Sequence, residues 1–118
     1  MPRRQEDYLL RQAKEIAAMI ARIAGLRMSG EVDPARAELE QAYSLLLGSR
    51  GELLRRVDAR TAARLLDSRE RIAVFAQLLN EEAAQEKDEN RRASLSRRAA
   101  ELQAEAERLD STNPELSS

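Results

Sequence analysis

Apolar residues recur at spacings of three and four along most of this chain of 118 residues, which is the period of an amphipathic α-helix. The pattern predicts a first helix over Gln5–Met28, ended by Ser29-Gly30 because glycine readily takes the left-handed backbone conformation that closes a helix. Asp33-Pro34 predicts the next start, with Asp33 as the N-cap and a second helix over Pro34–Leu47. Since only a few residues separate these helices, we expect them to lie antiparallel as a helical hairpin.

The second half of the chain predicts another hairpin, reached through a less regular segment. Residues 51–66 are compatible with two short helices, the second capped by Asp58, or with one bent helix. The spacing Asp67-x-x-Glu70 resembles a capping box and predicts the start of a long helix, and polar residues over 87–90 predict its end. The last helix has the cleanest apolar stripe of the chain, made of Leu95, Ala99, Leu102, Ala106 and Leu109.

These elements predict an all-α fold, with residues 1–110 as a single domain and residues 111–118 as a flexible tail without apolar periodicity. The composition agrees, because 20 Ala and 17 Leu stand against only seven Ile plus Val and three aromatic residues. Small and large residues alternate in helix two at Val32, Ala35, Leu39 and Ala42. This spacing resembles the second helix of a tetratricopeptide repeat and predicts two stacked hairpins, with a four-helix bundle as the alternative.

Several short motifs cover most of the chain. They are Gln5-Glu6-Asp7-Tyr8-Leu9-Leu10-Arg11, Ile20-Ala21-Arg22-Ile23-Ala24-Gly25-Leu26, Ala42-Tyr43-x-x-Leu46-Leu47-Gly48 and the pair Leu65-Leu66. With these motifs the chain resembles a family of short bacterial all-helical proteins, a domain of unknown function. The motifs are largely structural and the family has no assigned activity. The resemblance therefore implies a helical, tetratricopeptide-repeat-like fold and no particular reaction.

The residue inventory argues against catalysis. The chain has no Cys and no His, so it lacks thiol chemistry, the commonest acid–base side chain and the commonest ligand of transition metals. Glu82 and Glu86 lie one helical turn apart, beside Glu81, but a helical di-iron site would also need the His of Glu-x-x-His pairs. We therefore predict a protein that is not an enzyme and that has no cofactor, no metal site and no small-molecule substrate.

The sign of the charge alternates along the chain, although the net charge is only −1. Segments 1–30, 31–48, 49–71 and 72–90 carry +3, −3, +3 and −4, and segment 91–118 is neutral. The simplest interpretation is that oppositely charged helices pair at their edges. The alternative is a functional basic patch made of Arg50, Arg55, Arg56, Arg60 and Arg64. It would recruit an acidic partner, or bind phosphates in a nucleic-acid-associated regulator, although no interleaved aromatic residues support the latter.

A surplus of apolar residues on helix one gives the leading functional prediction. Over Ile16–Leu26 that helix is apolar nearly all round, and small domains rarely bury a helix on every side. We therefore expect Met19, Ile20 and Ile23 to form a dimer or partner interface, with Tyr43 as a further candidate if stacked hairpins leave a groove. The function that follows is a helical protein–protein interaction module or scaffold. We expect it in the cytoplasm, because the apolar stretch is too short to span a membrane and no signal-peptide cleavage site follows it.

Overall fold

The computed structural model describes the backbone of residues 2–111 and the side chains of residues 7–109. Within that range the chain forms α-helices and one 3₁₀ turn, with no strand, so the all-α class is confirmed. The elements are α1 (Pro2–Met28), α2 (Val32–Leu47), the 3₁₀ turn (Gly48–Arg50), α3 (Gly51–Arg56), α4 (Ala59–Leu66), α5 (Arg69–Gln85) and α6 (Glu89–Ser111). The predicted tail lies outside the described residues, apart from Ser111, which ends α6.

Helix α5 is the centre of the fold. It contacts both helices of the first hairpin, α1 and α2, and on its other side it contacts α6 and the short helix α4. Helix α6, by contrast, packs along α5 and α4 and reaches α3 through the Arg98 side chain. Side chains are therefore buried around most of α5, including Ile72, Val74, Phe75, Ala76, Leu78 and Leu79.

Helix α1 buries its large apolar residues on one side, against the rest of the chain. Met19 and Ile23 lie in the core with 7% and 0% exposure, and Ile20 is half-buried against that core. The outward positions of the same stretch are small, namely Ala17, Ala18, Ala21 and Gly25. The expectation that Met19, Ile20 and Ile23 form an exposed interface is therefore corrected, because alanine and glycine supplied the apparent surplus.

The first hairpin closes at Gly30, which takes a left-handed φ of 79°, as its position after helix one predicted. Helix α2, however, begins at Val32, so Asp33 lies in the first turn and is not the N-cap. Its negative charge there still favours the helix N-terminus. Pro34 is tolerated because N–H groups of the first turn have no helical partner.

Two short helices, not one bent helix, connect the hairpins. Extended backbone at Val57 and Asp58 separates α3 from α4, and the Asp58 carboxylate caps α4 by accepting from the Thr61 amide at 2.9 Å. The capping box predicted at Asp67 is wrong by one residue, because Ser68 is the N-cap of α5. Asp67 instead ends α4 with a φ of 50°, a conformation that short polar side chains tolerate.

Because Asp58 caps α4 as a carboxylate, the stability of the fold should depend on pH. Hydrogen bonds from the Thr61 side chain and backbone lower the pKa of Asp58 below its ordinary value of 3.8. Since the folded pKa is the lower one, the stabilisation is present above that ordinary value and is lost as the pH falls through the folded pKa. We expect Asp58→Asn, which retains a capping oxygen, to flatten the dependence of the urea midpoint on pH between about 5 and 2.

The matched control for this pH experiment is Glu15→Gln, an exposed carboxylate on α1 that caps no helix. It should leave the wild-type pH dependence in place. An Asp58→Asn protein whose midpoint falls with acid as steeply as that of the wild type would contradict the assigned cap.

Two half-buried arginines hold helix C-termini in place. Arg71 on α5 donates to the carbonyl oxygens of Leu46 at 2.7 Å and Leu66 at 3.3 Å, near the ends of α2 and α4. Arg98 on α6 donates to the carbonyl oxygen of Leu54 in α3 at 2.6 Å. Burial lowers the pKa of both guanidinium groups, but arginine remains charged at neutral pH. These bonds satisfy carbonyls that have no partner within their own helices and tie the short helices to the hairpins.

A polar cleft between the hairpins as the candidate functional site

A cleft of about 400 Å³ lies where α2 and α3 meet the end of α5 and the start of α6. We call it the hairpin cleft. It is lined by four cationic residues (Arg36, Arg55, Lys87 and Arg91), three carboxylates (Glu40, Glu82 and Glu86), and Leu39, Tyr43 and Gln85. Both hairpins contribute to it, so the packing of one hairpin on the other creates it.

A three-residue cluster joins α2, α3 and α5 at the cleft. The Tyr43 hydroxyl donates to Glu82 Oε1 at 2.6 Å, and Arg55 Nη2 donates to both Glu82 oxygens at 2.8 and 3.0 Å. The Arg55 guanidinium carbon also lies 4.5 Å from the centroid of the Tyr43 ring, a cation–π distance. The Glu82 carboxylate therefore accepts three hydrogen bonds, and Arg55 fastens the short helix α3 to the hairpins.

The electrostatic environment of Tyr43 suits it to position Glu82 and does not suit it to react. Burial raises the pKa of Tyr43 far above its ordinary value of 10.0, and the charge of Glu82 and its hydrogen bond raise it further. Tyr43 therefore remains a protonated donor at any physiological pH. A phenol in that state cannot act as a base or a nucleophile, so its role is to orient the Glu82 carboxylate.

Glu86, a second carboxylate of the cleft, also has its hydrogen-bond partners and its ion pair within the protein. Glu86 Oε2 accepts from the backbone amides of Lys87 and Asp88, both at 3.1 Å, and Glu86 Oε1 lies 3.5 Å from Arg91 Nε. These contacts form the tight break between α5 and α6 without glycine or proline. They also leave Glu86 fewer acceptor sites to offer to a ligand.

The Gln85 side chain is the unusual group of the cleft. Its amide oxygen and amide nitrogen are both buried, and neither has a hydrogen-bond partner within the part of the chain that the structure describes. Native proteins pair the great majority of their buried polar atoms, so an orphaned amide calls for an explanation. A primary amide offers a donor and an acceptor side by side, which matches the N–H and C=O groups of a peptide backbone.

The residues predicted as a basic patch do not form one surface. Arg55 lies in the hairpin cleft, and Arg50 donates to a backbone carbonyl of α4 at 3.5 Å. Arg60 and Arg64 line a separate groove between α4 and α6, while Arg56 is exposed on α3. The break between α3 and α4 is the reason, because residues on two separate helices do not share one helical face.

Tyr43 is the one predicted interface residue that lies at the cleft. It is only 6% exposed, so it lines the cleft from within and offers little free surface to a partner. Sequence reasoning did not select Arg36, Gln85 or Lys87. Of these three residues, only Lys87 could have been picked out from the sequence, because it lies in the polar segment 87–90 that predicts a helix end.

Ion pairs between helices follow the alternation of charge along the sequence. Arg22 pairs with Glu38, Arg27 with the buried Glu81, and Arg55 with Glu82, at 3.1, 3.1 and 2.8 Å. Each pair joins a positive segment to a negative one, as the simplest interpretation of the charge pattern predicted. Glu81, Glu82 and Glu86 thus pair with three different arginines, Arg27, Arg55 and Arg91. Within the described range, no group of three or more acidic residues is suited to hold a metal ion.

Comparison with known protein families, with curated proteins and with solved structures returned no match to this chain. Across the described helices, none is both long and apolar enough to cross a membrane. Fold and site together define the class: a small all-α protein with a charged cleft between its helices.

Proposed function

We propose that the protein is a non-enzymatic interaction module that binds a segment of a partner protein in the hairpin cleft. The orphaned amide of Gln85 carries this proposal. An unpaired buried polar group destabilises a fold by about 1–3 kcal/mol, and a ligand that pairs with it recovers this free energy. The Gln85 side chain lines the cleft, and a rotation that turns its buried amide toward the cleft would let it form backbone-like hydrogen bonds with a ligand.

The arrangement of the hairpins supports the same proposal. The backbone of α6 packs against α5 and α4 and, within the described residues, does not closely approach that of α1 or α2. In a closed four-helix bundle each long helix has two long neighbours, so these contacts favour the stacked, tetratricopeptide-repeat-like arrangement. Stacked helical hairpins form concave surfaces that repeat proteins use for binding.

Two earlier hypotheses receive less support. Self-association through α1 depended on Met19, Ile20 and Ile23, which pack in or against the core. A nucleic-acid role depended on one continuous arginine surface, whereas the arginines face different parts of the protein. We therefore carry only the binding of a protein segment forward.

Selection of a random-peptide display library on the immobilised protein tests the proposed function. We expect enriched peptides, and we expect Gln85→Leu to weaken their binding by about tenfold or more, measured by fluorescence anisotropy of labelled peptides. Leucine also removes the unpaired amide, so Gln85→Leu should be at least as stable to urea as the wild type. Weak binding by a stable variant would then reflect the lost amide and not misfolding.

The matched control is Gln77→Leu, an exposed amide on the same helix that does not line the cleft. It should bind the selected peptides as the wild type does. The proposal would be overturned by a library that yields no enriched peptide, or by peptides that bind the Gln85→Leu protein with unchanged affinity.

A further inference from the structure

We infer that the segment bound in the hairpin cleft is acidic: its carboxylates are recognised by Arg36 and Lys87 while Gln85 pairs with its backbone. This inference rests on the proposed function and names the chemistry of the partner. The occupant is an extended stretch of a protein chain that carries Asp or Glu side chains.

The first argument is the balance of charge. Of the four cationic residues of the cleft, Arg55 is committed to Glu82 and Arg91 to Glu86. Within the described range, Arg36 and Lys87 have no acidic partner. One carboxylate of the cleft, that of Glu40 on α2, has no cationic partner among the described residues. The unpaired charge of the cleft is therefore positive.

The second argument is the supply of donors and acceptors. Glu82 accepts three hydrogen bonds within the protein, and Glu86 accepts two amide bonds beside its ion pair. Among the groups still available, the N–H donors of Arg36, Lys87 and the Gln85 amide outnumber the acceptor oxygens of Glu40 and Gln85. A complementary ligand must then be rich in acceptors, as carboxylates and peptide carbonyls are.

Glu40 does not reverse this balance, because it lies at the border of the cleft. It also lines the neighbouring depression on the outer face of α2, with Ala37, Gln41, Ser44 and Leu45. Glu40 also lies one helical turn from Arg36 on α2, so its negative charge offsets part of the attraction that Arg36 offers to an acidic residue and leaves that of Lys87.

Reversing the charge of the two free cations tests the inference. With labelled peptides from the display selection, we expect the Arg36→Glu, Lys87→Glu double variant to raise the Kd roughly tenfold or more. Peptides in which the acidic residues are replaced by lysine should show the opposite preference, with weak binding to the wild type and recovered binding to the double variant. Binding of the original peptides to the wild type should weaken as the sodium chloride concentration rises.

The control for charge is the double variant Arg97→Glu, Lys14→Glu, which makes the same change at exposed positions outside the cleft. It should bind the original peptides nearly as the wild type does. An equal loss in this control would show that net charge governs binding, and would overturn the assignment to Arg36 and Lys87.

The possible failures are distinguishable. If the selection yields peptides that need Gln85 but carry no excess of acidic residues, the inference is wrong while the proposed function stands. If no peptide is enriched, both are wrong. If a single-stranded oligonucleotide binds more tightly than the selected peptides and loses affinity in the Arg36→Glu, Lys87→Glu variant, the ligand is a polyanion of another class and the inference is overturned.

Discussion

Replacing Phe75 with alanine should lower the free energy of unfolding by about 3–5 kcal/mol. Phe75 is fully buried on α5, and its ring meets the Tyr43 ring edge-on, with 6.3 Å between the centroids and 87° between the planes. Truncation removes this aromatic pair as well as the buried area, and leaves a cavity. Because α5 is held between α1, α2 and α6, the surrounding helices cannot all move inward to fill that cavity.

Urea unfolding followed by far-ultraviolet circular dichroism measures this effect. Phe75→Leu keeps most of the side-chain volume and should cost less than about 1.5 kcal/mol, so it remains informative if the alanine variant does not fold. The control is Leu53→Ala on α3, where the side chain is 49% exposed and the expected loss is under about 1 kcal/mol. Equal losses for Phe75→Ala and Leu53→Ala would contradict the central place of α5.

The helices and their inward faces could be predicted from the sequence because apolar periodicity is a local property. Of the alternating positions that the sequence indicates in helix two, Ala35, Leu39 and Ala42 are buried, and only Val32, at the helix start, is exposed. The same reasoning failed for the end of α6, where Leu109 is 42% exposed. Periodicity reports which side of a helix is apolar, but it does not report how far the neighbouring helix extends along that side.

The identity of the central helix could not be predicted, because it depends on which helices pack together. Ala17 and Ala18 made helix one look apolar on every side, as Ile16 would, although an exposed alanine presents little apolar area. The caps show a similar limit. Asp67 and Ser68 are both good N-caps by residue type, and the choice between them was decided by the need to end α4 with a left-handed residue.

The cleft lay outside sequence reasoning for the same physical reason. Tyr43 and Arg55 reach Glu82 across 39 and 27 positions of the chain, and only the packing of the hairpins brings them together. The charge alternation predicted that such pairs form between segments. It did not predict which cations would remain unpaired.

Replacing Glu82 with leucine should lower the free energy of unfolding by about 2–4 kcal/mol, mainly because of the groups that it leaves behind. The Tyr43 hydroxyl would lose its only hydrogen-bond acceptor among the described residues and would stay buried. The Arg55 side chain is 41% exposed, so water can replace much of its ion pair, which contributes less than about 1 kcal/mol. The orphaned hydroxyl therefore dominates the loss.

The control for this substitution is Glu38→Leu. Glu38 also pairs with an arginine, but its partner Arg22 is 60% exposed and the pair holds no buried hydroxyl. The expected loss is below about 1 kcal/mol. A Glu82→Leu variant no less stable than Glu38→Leu would contradict the structural role of the cluster.

A double-mutant cycle with Tyr43→Phe separates the hydroxyl from the ion pair. In the wild-type protein Tyr43→Phe should cost about 1–2 kcal/mol, because the hydroxyl donates to a charged acceptor. In the Glu82→Leu protein the same change should cost nothing or should stabilise, since it removes a buried donor that no longer has an acceptor. The expected coupling is therefore about 1–3 kcal/mol, measured from the four urea midpoints and slopes. Phenylalanine keeps an aromatic ring at position 43, so the Tyr43→Phe change removes the hydroxyl and leaves a face for the Arg55 guanidinium. Additive losses would mean that the Tyr43 hydroxyl and Glu82 do not interact in solution.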